Sequence, residues 1–243
     1  MSILAIPDIH GHKTELERVL HLADTLCGRE ARIVFLGDLI DRGPDSRGVI
    51  QLLIEGIADG RDWIVLRGNH DQWFLDFLDD AASATPKARR GSGWLSENNG
   101  GIETLYSYGA ASAVERGDWS AVARAVPQAH KEFLCSLPLW HETDAHIFVH
   151  AGIRPGVPLE EQDPHDLMWI RQPFLGDPRD HGKLIVHGHT PIETPTHYGN
   201  RVNLDAATGW GFPLNVVKFE GRRAWRLTEG GSVLLEQAGP GDF

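Results

Sequence analysis

Cysteine is scarce in this sequence of 243 residues, which contains only Cys27 and Cys135. Two cysteines are too few for a disulfide framework, and their spacing is not that of a zinc site. A reducing compartment such as the cytoplasm is therefore the expected location. The sequence also lacks an apolar run of transmembrane length and a basic, apolar leader, so we expect neither a membrane span nor a signal peptide.

Positive charge is in the minority as well. Lysine and arginine together number 23, aspartate and glutamate number 34, and the formal net charge is −11. This balance disfavours non-specific binding to nucleic acid and to an anionic membrane. With 41% hydrophobic and 23% charged residues, the chain has the composition of an ordinary globular protein that needs no disulfides. Its length suits a single domain over residues 1–243.

Short apolar runs alternate with polar loops along the chain. Each run is rich in Ile, Val and Leu and is apolar on both faces, as strands buried between two layers are. The five runs are Ile3–Ile6, Ile33–Leu36, Trp63–Leu66, Ile147–Val149 and Leu184–Val186. Helical patterns separate the first three runs, which predicts βαβ units and parallel strands in an α/β fold. Because loops that follow parallel strands meet at one sheet edge, the five polar loops are expected to converge.

Three further segments complete the predicted organisation. Residues 83–101 are rich in Gly, Ser, Ala and Asn, which predicts an excursion or a lid within the single domain. Ser120–Leu137 has a helical pattern. The β-branched and aromatic residues of Thr196–Leu235 are interrupted by Gly-rich turns and predict antiparallel strands, in a second sheet or a continuation of the first.

The polar loops carry six side chains that can ligate a metal ion. They are two carboxylates, three imidazoles and one amide: Asp8, His10, Asp38, Asn69, His150 and His189. Nitrogen and oxygen donors without thiolates suit Mn, Fe, Co, Ni or Zn. The set is large for one catalytic ion and about right for two ions that share a carboxylate. Such a pair clamps a phosphoryl group and lowers the pKa of a bridging water towards about 7, so that metal-bound hydroxide attacks phosphorus.

Hydrolysis of a phosphate ester has two further requirements. Guanidinium groups match phosphate oxygens bidentately, and Arg42 and Arg171 lie in or near the polar loops. The leaving alkoxide needs a proton, which His70, the neighbour of Asn69, is placed to supply. Asp41 would hold the His70 imidazole charged and oriented.

Three of the loops carry recognisable motifs. They are Asp8-Ile9-His10-Gly11-His12, Gly37-Asp38-Leu39-Ile40-Asp41-Arg42-Gly43 and Arg67-Gly68-Asn69-His70-Asp71. In order and approximate spacing they resemble the opening motifs of the phosphoprotein phosphatase family of calcineurin-like metallophosphoesterases. His150-Ala151-Gly152 and Gly188-His189 resemble the remaining metal motifs of that family. Stretches around Trp94 and Trp169 are more similar to its small bacterial and phage branch than to the eukaryotic enzymes.

The resemblance implies a four-layer αββα sandwich of the metallo-dependent phosphatase type, with mixed sheets flanked by helices. It implies one metal ion on Asp8, His10 and Asp38, and a second on Asp38, Asn69, His150 and His189. It also implies that Asp38 bridges the ions, that His70 is the general acid supported by Asp41, and that Arg42, Arg171 and Asn69 contact phosphate. Pro191 stands where many other metallophosphoesterases have a further histidine ligand, which favours the phosphoprotein phosphatase branch.

The expected activity is therefore hydrolysis of phosphate esters at two divalent ions, with manganese the expected metal and Fe, Zn, Co or Ni the alternatives. A serine/threonine protein phosphatase is the first hypothesis. Hydrolysis of a dinucleoside polyphosphate such as diadenosine tetraphosphate is the alternative, since the same metal ions serve both reactions. A binding module without activity is a third possibility, against which the complete ligand set argues. The expected partner is a phosphorylated protein or a small phosphorylated substrate.

Overall fold

Strands and short helices alternate in the computed structural model, which describes residues 2–82 and 93–238. The strands are β1 (Ile3–Ile6), β2 (Ile33–Phe35), β3 (Trp63–Val65), β4 (Trp140–Glu142), β5 (His146–Val149), β6 (Leu184–His187), β7 (Thr196–His197), β8 (Arg201–Asn203), β9 (Val217–Glu220), β10 (Arg223–Thr228) and β11 (Gly231–Leu234). The α-helices are α1 (Lys13–Cys27), α2 (Ser46–Ala58), α3 (Asn69–Ala82), α4 (Gly101–Ser107), α5 (Ala111–Glu115), α6 (Trp119–Ala125), α7 (Gln128–Ser136) and α8 (Pro164–Trp169). Within the described ranges, none of the helices combines the length and the apolar character that crossing a bilayer requires.

The strands form two mixed sheets. The first sheet has the order β11-β10-β9-β1-β2-β3, in which β1, β2 and β3 are parallel. The second has the order β4-β5-β6-β8-β7, in which β5, β6 and β8 are parallel. The predicted parallel pairing of the apolar runs is therefore confirmed, but the five runs divide between two sheets.

Side chains of the central strands point alternately to two faces, as the period of a strand requires. Leu4 and Ile6 of β1 pack in a core shared with residues of α1 to α7. Ala5, between them, faces the second sheet and contributes to the core between the sheets. On the far side of the second sheet, Ile147 of β5 packs with Leu167 of α8. The layers are helix, sheet, sheet and helix, which confirms the expected αββα sandwich.

The C-terminal strands do not remain together as one antiparallel unit. Strands β9, β10 and β11 extend the first sheet with antiparallel pairing, as predicted. Strands β7 and β8 join the second sheet instead, and β8 runs parallel to β6. The prediction of antiparallel strands in Thr196–Leu235 therefore holds for the pairing of β7 with β8, but β8 also pairs parallel to β6, which was not predicted. The partner of a strand depends on contacts distant in sequence, which the local residue pattern does not contain.

The segment Ser120–Leu137 forms two helices where a single helical pattern was expected. Helix α6 ends at Ala125 and α7 begins at Gln128. Pro127 separates them, and a proline disfavours the helical conformation of the residue that precedes it. Val126 accordingly has an extended backbone, with φ −82° and ψ 120°.

The predicted excursion over residues 83–101 lies mostly outside the described residues. From residue 93 onward the chain packs against the helical layer, where the Trp94 side chain is fully buried. Helix α4 then begins at Gly101. Within the described part of this segment, Trp94 and Leu95 thus belong to the first core.

Candidate metal centre

The loops that follow β1, β2 and β6 carry ligand candidates on left-handed backbone. His10, Asp38 and His189 have φ values of 48°, 50° and 63°. Such conformations cost about 1–3 kcal/mol each in residues other than glycine and persist where the surroundings impose them. Here the Asp38 carbonyl accepts hydrogen bonds from the backbone N–H groups of Ile9 and His10, at 3.0 and 2.9 Å. The strained turns bring side chains of separate loops into one cluster.

Asp38 lies at the centre of this cluster. Its Oδ2 lies 3.6 Å from Nε2 of His10, and its Oδ1 lies 3.4 Å from Nε2 of His150. Burial opposes ionisation of Asp38, but the surrounding imidazoles, His150 first, hold its pKa well below the ordinary value. Among the described residues, two groups have ligating atoms within 4.8 Å of one another: His10, Asp38 and His70, and Asp38, His150 and His189. Both groups contain the Asp38 carboxylate.

The surroundings of His150 fit a cation. Its Nδ1 donates a hydrogen bond to the Leu36 carbonyl at 2.9 Å, which leaves a lone pair on Nε2. That lone pair faces Asn69 Oδ1 at 2.9 Å and Asp38 Oδ1 at 3.4 Å. Burial lowers the pKa of His150, so the neutral imidazole is the stable form. Three acceptor atoms therefore converge without a proton to share, an arrangement that a divalent cation stabilises.

The other two ligand histidines are also held in the neutral form that binds metal ions. Nδ1 of His10 donates to the Ile40 carbonyl at 2.9 Å, which directs Nε2 into the cluster. Burial, followed by the His70 imidazole, lowers the pKa of His10 well below its ordinary value. Burial and then His150 lower the pKa of His189 to about 3. A fixed tautomer on a neutral ring is what an imidazole ligand requires.

Two buried acids supply further negative charge. The Asp8 oxygens accept hydrogen bonds from the His189 backbone N–H at 3.1 and 3.2 Å. Burial raises the pKa of Asp8, and the neighbouring carboxylates of Asp205 and Asp38 raise it further. Burial also raises the pKa of Asp205 to about 6. Asp8 is thus a buried carboxylate whose ionisation two other carboxylates disfavour, and a cation among them would offset that repulsion.

Sequence reasoning missed Asp205. It follows Arg201–Asn203, which is β8, at the same edge of the second sheet as the loops after β5 and β6. A short apolar run followed by a carboxylate is the signal used for the other loops. That signal is absent before Asp205, because Arg201, Val202 and Asn203 alternate polar and apolar side chains and do not form an apolar run.

His70 and Asp41 form a buried pair at the side of the cluster. Nδ1 of His70 donates to Oδ2 of Asp41 at 2.6 Å. Burial lowers the pKa of His70, but the carboxylates of Asp38 and Asp41 outweigh burial and raise it above the ordinary value. Nε2 of His70 lies 3.9 Å from Oδ2 of Asp38. The pair thus keeps a protonated imidazole beside the shared carboxylate.

Both predicted phosphate-binding arginines lie at this cluster. Nη1 of Arg42 donates to Nε2 of His10 at 2.5 Å, and its guanidinium carbon lies 4.8 Å from the ring centroid of Trp210. Arg171 is exposed, and its positive charge lowers the pKa of His189 after larger effects of burial and neighbouring residues. No acceptor within the described part of the chain binds the Arg171 guanidinium. It is therefore available to an anion.

A cavity of about 190 Å³ opens over the cluster. Eight of the ten predicted site residues line it, together with the missed Asp205 and three tryptophans. The lining residues are Asp8, His10, Asp38, Arg42, Asn69, His70, Trp73, Asn99, Trp169, Arg171, His189, Pro191, Asp205 and Trp210. The remaining predicted residues, Asp41 and His150, are fully buried behind His70 and Asn69. The structure therefore brings every sequence-predicted site residue to one place.

Comparison with known proteins agrees with this geometry. The profile of a family described as Calcineurin-like phosphoesterase matches residues 1–219. Serine/threonine-protein phosphatase 1 of Salmonella typhimurium is 28% identical over 237 residues, which cover 90% of this chain and 92% of that protein. The asymmetrical bis(5'-nucleosyl)-tetraphosphatase PrpE of Anoxybacillus flavithermus is 28% identical over 211 residues, which cover 77% of this chain and 75% of that protein.

Solved structures share the fold. A cold-active protein tyrosine phosphatase has a TM-score of 0.68 at 16% identity, over 97% of this chain and 79% of the other. A protein proposed to be a diadenosine tetraphosphatase has a TM-score of 0.67 at 20% identity, over 98% of this chain and 95% of the other. At these identities the likeness concerns the fold alone.

Proposed function

The chain belongs to the calcineurin-like phosphoesterase family, and we propose that it removes phosphate from phosphoserine and phosphothreonine in proteins. Family membership makes it a metal-dependent phosphoester hydrolase. One observation carries the proposal: the Asp38 carboxylate is common to two ligand groups and lies beside the His70–Asp41 pair. Similarity to the Salmonella protein phosphatase over most of both chains supports the choice of substrate.

We propose that two divalent ions, most simply manganese, are held at this centre. One set of ligands is Asp8, His10 and Asp38, and the other is Asp38, Asn69, His150 and His189. When bound, such ions neutralise phosphoryl oxygens and lower the pKa of water towards about 7. Oxygen and imidazole donors without thiolates suit manganese, iron, cobalt, nickel and zinc.

The chain's own residues perform the remaining steps. The guanidinium groups of Arg42 and Arg171, together with the Asn69 amide, orient the phosphate oxygens. His70 donates its proton to the leaving oxygen as the ester P–O bond breaks. Asp41 remains ionised and stabilises the imidazolium until that proton is transferred. Trp73 and Trp169, whose ring centroids lie 4.6 Å apart, form an apolar wall beside His70 and His189.

We also propose a single cytoplasmic domain. The two sheets share one core between them, so neither sheet is buried without the other. Cys27 is half-buried, Cys135 is exposed, and both are free thiols, as a reducing compartment keeps them.

Hydrolysis of a dinucleoside polyphosphate is the second candidate. Three tryptophans line the cavity, and aromatic rings beside a phosphate site stack readily on nucleobases. Trp210 has 55% of its surface exposed. Similarity to bis(5'-nucleosyl)-tetraphosphatases supports this candidate as well.

A substrate comparison distinguishes the two candidates. We expect kcat/KM for a phosphoserine peptide to exceed that for diadenosine tetraphosphate by at least about tenfold, a difference of about 1.4 kcal/mol in transition-state stabilisation. The measurements are phosphate release and nucleotide chromatography with manganese-loaded protein. The reverse preference would establish the second candidate, and hydrolysis of neither substrate would contradict both.

Arg171→Ala is expected to lower kcat/KM about 10- to 100-fold for any phosphate ester, because a charged hydrogen-bond donor contributes about 1.5–3 kcal/mol. Since the guanidinium binds no acceptor within the described residues, folding should not depend on it. Steady-state kinetics measure the effect, and Arg154→Ala, at an exposed Arg154–Asp166 ion pair, is the control. Equal kinetics for both variants would exclude Arg171 from phosphate binding.

A further inference from the structure

Asp41 receives hydrogen bonds from a segment far along the chain. The carboxylate is fully buried, and its Oδ2 accepts from the Trp94 indole N–H at 2.6 Å, in addition to His70. Its Oδ1 accepts from the Thr104 hydroxyl, also at 2.6 Å. The Asp41 backbone N–H donates to Ser46 Oγ at 3.0 Å and to Thr104 Oγ1 at 2.9 Å. Both carboxylate oxygens and the backbone N–H of Asp41 are thus bonded to residues outside its own loop.

The same segment holds the following residue. Asp41 and Arg42 have φ values of 76° and 65°, each of which costs about 1–3 kcal/mol outside glycine. The Arg42 backbone N–H donates to the Gly100 carbonyl at 3.3 Å, and its Nε donates to the Asn98 carbonyl at 3.3 Å. A side chain at Gly100 would collide with the Arg42 backbone, so the two turns pack in direct contact. Residues 94–104 therefore act as a support for the strained Asp41–Arg42 turn.

Trp94 is rigid because it is packed on the helix that carries His70. Its ring centroid lies 5.4 Å from that of Phe74 and 5.0 Å from that of Phe77, both on α3. His70 lies in the first turn of the same helix. The indole therefore joins the acid-bearing helix to the carboxylate that orients the acid.

We propose that Trp94 and Thr104 are positioning residues of the hydrolytic reaction, which hold Asp41 so that His70 is aimed at the leaving oxygen. The inference rests on the proposed function. In that reaction the oxygen of water forms a bond to phosphorus, the ester P–O bond breaks, and the proton of His70 passes to the leaving oxygen. One proton of the water stays on the hydrogen phosphate product, and the other is released to solvent, from which His70 is reprotonated. Without the indole N–H, Oδ2 of Asp41 keeps only His70 as a partner, so the carboxylate is held less firmly and the imidazole is directed less precisely. Loss of such an outer partner typically costs about 10- to 100-fold in activity.

The test compares Trp94→Phe with a matched control, Trp63→Phe. The indole N–H of Trp63 is buried and has no acceptor within residues 2–82 and 93–238, so its loss removes the same group without the contact. For Trp94→Phe we expect kcat on a phosphoserine peptide to fall about 10- to 100-fold. Kcat on p-nitrophenyl phosphate, whose leaving group needs little protonation, should stay within about threefold. Trp63→Phe should change neither rate by more than about twofold.

A double variant distinguishes positioning from general stability. In a His70→Asn background, Trp94→Phe should have no further effect, because the group that it positions is gone. If Trp94→Phe does not fold, Thr104→Val repeats the test at the other carboxylate oxygen. We again expect a larger loss of kcat on the phosphoserine peptide than on p-nitrophenyl phosphate. Equal losses on both substrates, or a loss that persists in the His70→Asn background, would overturn the positioning role.

The controls separate this inference from the proposed function. If His70→Asn itself lowers kcat equally on both substrates, then the acid assignment is wrong and the positioning role is overturned with it. The other case is that His70→Asn lowers kcat more on the phosphoserine peptide than on p-nitrophenyl phosphate, while Trp94→Phe and Thr104→Val do not. The acid assignment then stands and only the positioning role is wrong.

Discussion

Asp38→Asn is expected to abolish binding of both metal ions and to lower kcat/KM at least about a thousandfold, which corresponds to about 4 kcal/mol of transition-state stabilisation. The reason is that both ligand groups contain this one carboxylate. An amide is neutral and presents only one oxygen, so it cannot bridge two cations. Metal analysis of the purified variant and kinetics on p-nitrophenyl phosphate measure the two effects.

Thermal unfolding gives an independent readout. A ligand that binds only the folded state stabilises it, by about 2.7 kcal/mol at a hundredfold excess over its Kd. Added manganese should therefore raise the Tm of the unsubstituted protein and leave that of Asp38→Asn unchanged. Two bound ions in the variant, with activity within tenfold of the starting protein, would contradict a shared bridging role.

Asp45→Asn is the matched control for this substitution. Asp45 lies in the loop that follows the same strand and caps α2 through a hydrogen bond from the Gly48 backbone N–H at 2.8 Å. Asparagine caps helices about as well as aspartate does. The control therefore makes the same chemical change nearby, and we expect metal content and activity to be preserved.

His70→Asn is expected to lower kcat on phosphoserine peptides about 10²- to 10⁴-fold, the usual contribution of a positioned acid. The loss on p-nitrophenyl phosphate should be less than about tenfold, because its leaving group departs without a proton. His21→Asn, on the exposed surface of α1, is the control. Measuring kcat of each variant on these two substrates, which differ in their leaving groups, gives the ratio of the two losses directly.

The metal content of His70→Asn decides whether His70 is a metal ligand or an acid. His70 lies with His10 and Asp38 in one of the two groups of ligating atoms. Its Nδ1 is bonded to Asp41, and its raised pKa keeps a proton on the ring, so we expect a role as acid and Asp8 as ligand. The variant should therefore retain both ions. Loss of one ion would identify His70 as a ligand instead.

Much of the centre was predictable because its chemistry lies in short contiguous motifs. Asp8 and His10 follow one buried apolar run, and Asp38 follows another, so each motif carries both a strand end and its ligands. The same logic fails for Trp94, whose bond to Asp41 spans 53 residues. Nothing in the neighbouring sequence indicates that a buried indole donates to that carboxylate.

The amino-acid sequence by itself determined which donor atoms are present and that they follow buried strands, because side-chain chemistry and strand periodicity are local properties. Only the tertiary structure decided that Asp38 stands between His10 and His150, that β8 pairs parallel to β6 and brings Asp205 to the same edge, and that Trp94 supports Asp41. These are distances between segments remote in the chain. They depend on how two sheets pack on one another, and a residue pattern along the chain does not record that packing.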